Sequence, residues 1–197
     1  MTRWDLEALR DQIANPSRRL ARPDRAAVLI PIIDDGGPQR LLLTRRTDTV
    51  GTHKGHVAFP GGYVEDQDPT LRDTALRETW EEIGLEPERV DVLGELDDFP
   101  AIQSRLRVSP WVGRLTEVPE LTPNPGEVAR VFEVPLEAMS HRDGWRVEPM
   151  QRGDRRWPVY FFDYDGEVVW GLTGYIILRL LMYSPWGSPY PIQTELF

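Results

Sequence analysis

At 197 residues the chain fits one domain with a substantial core, and 40 % hydrophobic against 28 % charged residues excludes extensive disorder. A formal net charge of −9 disfavours nucleic acid and anionic lipid as partners. No run approaches the roughly 20 apolar residues of a membrane span, and Met1-Thr2-Arg3-Trp4-Asp5 lacks the form of a signal peptide, so a cytoplasmic protein without membrane contact is expected. With no cysteine, disulfides, thiolate metal sites and a cysteine nucleophile are excluded, and any metal must sit on oxygen or histidine.

In chain order, Trp4 to Ile13 reads as a short amphipathic helix, with Leu6, Leu9 and Ile13 apolar and Asn15-Pro16-Ser17 ending it. Ala26 to Ile33 is an apolar run suited to a buried strand. The turn from Asp34 to Pro38 returns the chain along Leu41 to Thr44, which predicts a hairpin. Val57 to Phe59 is a short strand closed by Pro60-Gly61-Gly62. A helix is predicted from Leu71 to Gly84, with Asp68 as N-cap, Pro69 at the first helical position and Gly84 as terminator. Val90 to Leu96, Val108 to Leu115, Val128 to Val134 and Val159 to Tyr164 read as further strands, Pro119 to Pro125 as a loop, and Gly171 to Tyr183 as a helix. Interspersed strands and helices make this an α/β protein. The organisation expected is an N-terminal helix and linker over 1–24, a single domain over 25–183 and a tail over 184–197.

Glu78, Glu81 and Glu82 are spaced i, i+3 and i+4, so their carboxylates share one side of the predicted helix, while Leu76, Trp80 and Ile83 are expected to bury the other. Three crowded negative charges oppose folding unless a counter-charge is present. Arg77 can pair with Glu81 but cannot neutralise all three, whereas a divalent cation can. Oxygen ligands favour Mg²⁺ or Mn²⁺, and an open carboxylate site suits a metal that also bridges phosphates. By spacing alone, a solvated acidic face would look the same.

The string Gly62-x5-Asp68 followed by Arg77-Glu78-Thr79-Trp80-Glu81-Glu82-Ile83-Gly84-Leu85 resembles the Nudix box, GxxxxxE, seven residues, then REUxEExGU, with U a bulky aliphatic. Here Asp68 replaces the glutamate, eight residues precede Arg77, and Thr79 replaces an aliphatic. The resemblance implies an α/β/α Nudix sandwich with a mixed central sheet and a pyrophosphohydrolase using Mg²⁺ or Mn²⁺. It implies Glu78 and Glu82 as main metal ligands, Glu81 as holder of a further cation or a bound water, the Gly61 carbonyl as an additional ligand, and Arg77 as the residue that orients the acids.

Leu42-Leu43-Thr44-Arg45-Arg46, with Gly55-His56-Val57-Ala58-Phe59-Pro60-Gly61-Gly62 after it, is similar to the upstream signature of coenzyme A pyrophosphatases, as are 124–136 and 169–174. The implied substrate is a phosphorylated small molecule, coenzyme A or an acyl derivative. That signature usually carries arginine where this chain has Gly51, which leaves ADP-ribose, dinucleotides and oxidised nucleoside triphosphates as an alternative, beside a Nudix module that senses nucleotides without cleaving them. Glu127, after a loop, is a candidate general base or ligand, although an ordinary loop carboxylate would look the same. Arg45, Arg46, His53 and Lys54, with His56, Arg105 and Arg107, are candidate phosphate-binding residues that are equally readable as solvated charge. Trp170 is read as a core anchor rather than a base-stacking surface. The apolar tail with Trp186, Tyr190, Ile192 and Phe197 fits packing on the same chain or in an oligomer.

Overall fold

The computed structural model describes residues 2–13, 25–48, 54–100, 106–118, 120–152 and 155–190. Gly51, the candidate His53, Arg105, and tail residues Ile192 and Phe197 lie outside them.

The elements are α1 (Leu6–Gln12), β1 (Arg25–Ile33), β2 (Arg40–Arg46), β3 (Val57–Ala58), β4 (Gly61–Tyr63), α2 (Leu71–Ile83), β5 (Asp91–Glu95), β6 (Phe99–Pro100), β7 (Arg107–Leu115), β8 (Val128–Pro135), α3 (Leu136–Ser140), β9 (Trp145–Arg152), β10 (Arg155–Tyr164), β11 (Glu167–Trp170) and α4 (Gly171–Leu181). The central sheet runs β3-β2-β1-β7-β5, with β4 on β1, β6 on β7 and β8 on β2. It is mixed: β1 and β7 are parallel from Arg25↔Arg107 to Ile33↔Leu115, and the other pairs are antiparallel.

The unbroken apolar run of β1 follows from burial on both faces. Ala27, Leu29 and Ile33 point into one core with Leu71, Ala75, Leu76 and Ile83 of α2, while Ile30 and Ile32 point into the other with α4 residues Ile176, Ile177 and Leu180. The expected hairpin forms, pairing Ile32 with Leu41 and Ile33 with Arg40. On the α4 side lies a second, antiparallel sheet, β11-β10-β9. Its strands β9 and β11 were not legible in the sequence because Trp145–Arg152 mixes charges with Pro149, and Glu167–Trp170 is only four residues long. Trp4, Leu6, Leu9 and Ile13 enter the α4-side core, as do the partly buried Trp186 and Tyr190 from the tail. Trp170 is packed between His56 and Phe161, with ring centroids 4.7 and 5.6 Å away.

Candidate active site

Helix α2 starts two residues later than its capping signals suggest. Thr70, not Asp68, is the N-cap, accepting from the Asp73 N–H, and Leu71 rather than Pro69 opens the helix. Asp68 is committed elsewhere: its carboxylate accepts from Arg77 Nε at 2.8 Å and Nη2 at 2.9 Å, from the Thr74 hydroxyl and from the Glu65 N–H. Burial raises the Asp68 pKa, but the Arg77 pair and these hydrogen bonds outweigh it and hold the carboxyl below the usual range. The shorter acid with one more intervening residue thus makes a two-point contact with the arginine.

The helix buries Leu76 and Ile83 as expected, but its buried face is rotated away from Trp80. Trp80 is 54 % exposed, and the fully buried position is Thr79. The buried arc comprises Leu71, Thr74, Ala75, Thr79, Glu82 and Ile83, with Leu76 at its edge. A threonine fits there because its hydroxyl donates to the Ala75 carbonyl at 2.7 Å, which satisfies the polar atom within the helix. Trp80, 100° further round, falls on the solvent side.

This rotation separates the three glutamates. Glu82 is 4 % exposed; its carboxylate accepts from the Gly61 N–H at 3.2 Å and faces Arg46 Nη1 at 3.4 Å. Glu78 pairs with Arg77 at 3.1 Å. Glu81 is the most exposed of the three and pairs with the same arginine at 2.8 Å. Arg77 also donates to the Tyr63 carbonyl, so one guanidinium fixes β4, the Asp68 loop and two glutamates together. Gly61 has φ +152°, and a Cβ there would strike the Ala27 carbonyl, so only glycine lets β4 lie against β1 while presenting its N–H to Glu82.

A facing wall comes from the loop before β8. The Thr122 N–H donates to the Ile83 carbonyl and the Asn124 N–H to the Glu82 carbonyl, which ties the loop to the end of α2. An open groove of about 530 Å³ runs between them, lined by Trp80, Glu81, Gly84, Thr122, Asn124 and Glu127. Glu127 accepts from Asn124 Nδ2 at 3.1 Å. Asn124 was not singled out from the sequence, although the run Asn124-Pro125-Gly126-Glu127 carries the composition of a side-chain-stabilised turn. Arg46 comes to the carboxylates, but its neighbour Arg45 does not: strand alternation sends it to the other face, 3.8 Å from Glu167. Arg107 lies 3.7 Å from Asp98, and Lys54 is exposed.

Burial pushes the Glu82 pKa up to about 7; the Gly61 N–H and Arg46 oppose this, and Glu78 and Glu127 add repulsion. Burial likewise raises Glu78, with Arg77 opposing and Glu81 and Glu127 reinforcing. Among the described residues no three acidic or histidine side chains already converge as a metal cage; the carboxylates are instead engaged by Arg77, Arg46 and Gly61. The donor set nevertheless fits a hard divalent cation. All the donors are oxygens, and two glutamates held in their charged forms at a cost would be relieved by a positive ion.

The NUDIX domain profile matches residues 23–158. The chain is 43 % identical over 171 residues to an uncharacterized Nudix hydrolase NudL of Photorhabdus laumondii, covering 86 % of this chain and 90 % of that protein. It is 40 % identical over 165 residues to the mitochondrial Nudix hydrolase 15 of Arabidopsis thaliana, covering 80 % of this chain but 58 % of the longer plant protein. Among solved structures, DR0079 from Deinococcus radiodurans superposes with a TM-score of 0.52 at 18 % identity, covering 84 % of this chain and 87 % of that one, a likeness of fold. The chain belongs to the Nudix hydrolase family, whose members act on pyrophosphate bonds of phosphorylated small molecules and generally use a divalent metal such as Mg²⁺.

Proposed function

We propose that the protein hydrolyses the diphosphate bond of coenzyme A or an acyl derivative in a Mg²⁺-dependent reaction, giving phosphopantetheine and adenosine 3′,5′-bisphosphate, with Mn²⁺ as an alternative metal. The observation that carries this reading is the link between the segment 42–62, which is similar to the coenzyme A pyrophosphatase signature, and the glutamate helix. Arg46 from that segment faces Glu82, and the Pro60-Gly61-Gly62 turn that closes it hydrogen-bonds the same carboxylate.

In this reading Glu78, Glu82, Glu81 and the Gly61 carbonyl hold the metal, which, when bound, neutralises phosphate oxygens and acidifies a water molecule. Arg77 orients Glu78 and Glu81 through its contacts to both. Glu127 acts as general base: one of its oxygens is held by Asn124, and the other has no hydrogen-bond partner among the described residues. It takes the water proton as the water oxygen bonds to phosphorus, and the bridging P–O bond breaks with its electrons leaving on the departing phosphate. Arg46 and Lys54 offer positive charge to the substrate phosphates and His53 a hydrogen-bonding ring, whereas Arg45, turned to the other face of β2 beside Glu167, does not reach them.

Purified protein with Mg²⁺ and coenzyme A should yield the two named products by mass spectrometry, and chelation should abolish them. Intact coenzyme A alongside cleaved ADP-ribose, dinucleotide or oxidised nucleoside triphosphate would replace the substrate, a reading that Gly51 in place of the signature arginine favours. Failure to cleave any of them would instead favour a nucleotide-sensing module.

A further inference from the structure

The loop that carries Glu127 is tied to the end of β2 by Thr47, whose N–H and hydroxyl donate to the Glu127 and Gly126 carbonyls, and to α2 by Thr122 and Asn124, of which Asn124 also bonds the Glu127 carboxylate. The Asn124 N–H donates to the Glu82 carbonyl at 2.8 Å; the Asn124 carbonyl accepts from the N–H groups of Glu127 and Val128; and its side chain bonds both Gly126 and Glu127. The orientation of the amide follows from chemistry. The Gly126 N–H can only donate, so it faces Oδ1, 3.0 Å away, and the Nδ2 donor is turned towards Glu127 Oε1. Gly84 makes the approach of the loop possible: it sits at φ +73°, and a Cβ on it would collide with the Thr122 hydroxyl.

From this geometry we infer that Asn124 is a positioning residue for the reaction, aiming the Glu127 carboxylate and fixing its distance from the turn of α2 that carries Glu82. The inference rests on the role given above to Glu127. Both halves of the residue are needed. The side-chain donor takes up one Glu127 oxygen and so leaves the other for the water. The main-chain donor joins that arrangement to Glu82, so that the base and the buried glutamate move as one unit. A shorter or purely accepting side chain at 124 keeps the loop tied to α2 but releases the carboxylate.

A double-mutant cycle on whichever diphosphate the protein cleaves tests this. Asn124→Ala should lower kcat by about 10-fold or more with KM little changed, as expected for loss of a residue that orients a reacting group. In a Glu127→Gln background the same change should cost less than about twofold. Asn124→Asp keeps the Gly126 acceptor, removes the donor and adds like charge, so it should fare no better than alanine. Independent effects of the two substitutions, or full activity in the aspartate variant, would overturn the inference. So would wild-type kcat in Glu127→Gln alone. A crystal structure of Asn124→Ala gives a readout that needs no turnover: the loop should stay on α2 while the Glu127 carboxylate leaves its present position, and an unmoved carboxylate would refute the role. If no diphosphate is cleaved by the wild-type protein, the functional reading fails, while the crystallographic arm still decides whether Asn124 aims Glu127.

Discussion

Helices α2 and α4 cover opposite faces of the same sheet, yet they are held there by different forces. Helix α4 buries Tyr175, Ile176, Ile177, Leu178, Leu180 and Leu181, an almost wholly apolar set. Helix α2 buries Thr74, Thr79 and Glu82 beside Leu71, Ala75 and Ile83, and its remaining charges are gathered by Arg77. The hydrophobic effect anchors one helix, whereas the other gives up part of that stabilisation to keep carboxylates dry and aimed. One face of the fold supplies stability that the other spends on chemistry.

The largest contrast should come from Glu82→Gln. Loss of a direct metal-holding carboxylate should reduce kcat by more than the roughly 10–100-fold typical of outer-shell changes, while the metal-free protein melts at the same or a higher temperature because a buried charge is gone. Activity close to wild type in steady-state assays would erase the distinction between the two helices. Ile177→Ala in α4 should do the reverse: a loss of about 2–5 kcal/mol in urea unfolding, with kcat per folded molecule unchanged. A variant as stable as wild type would mean that the α4 core collapses to fill the cavity.

The smallest effect is a pH dependence. In the metal-free protein Glu82 keeps its proton to about pH 7 when folded and releases it in the ordinary range near 4.5 when unfolded. Between those values the folded state binds more protons, so this group makes stability fall as pH rises and the loss is complete above about 7. Asp68 and Asp91, whose folded pKa values are depressed, act the other way and only as pH falls below the usual aspartate range. Melting temperatures in chelator should therefore decline from pH 5 to 7.5, Mg²⁺ should restore them mainly at the upper end, and Glu82→Gln should flatten the profile. A melting temperature that rises over that interval in chelator would contradict the burial of the charged form.

Most of the sheet and both long helices were legible because their patterns are local: the apolar run of β1, the Gly84 terminator, and the i, i+3, i+4 acids. Strands β9 and β11 escaped because neither alternates cleanly, and what makes them strands is their pairing with β10. The identity of the acids in the candidate site could be read directly, but their inequality could not. Burial of Glu82 and exposure of Trp80 depend on how far α2 is rotated against the sheet, and that angle is set by its packing on β1, β4, β7 and β8, which come from separate parts of the chain.

By itself the sequence determined an α/β chain of Nudix type with a glutamate helix behind a Pro-Gly-Gly turn, because spacing, caps and turn chemistry act over a few residues. Only the tertiary structure decided that Asp68 serves Arg77 rather than the helix start, that Arg46 and Arg45 part company across β2, and that Asn124 joins Glu127 to the end of α2. Those are contacts between segments distant in sequence, and their distances follow from how sheet, helix and loop pack together.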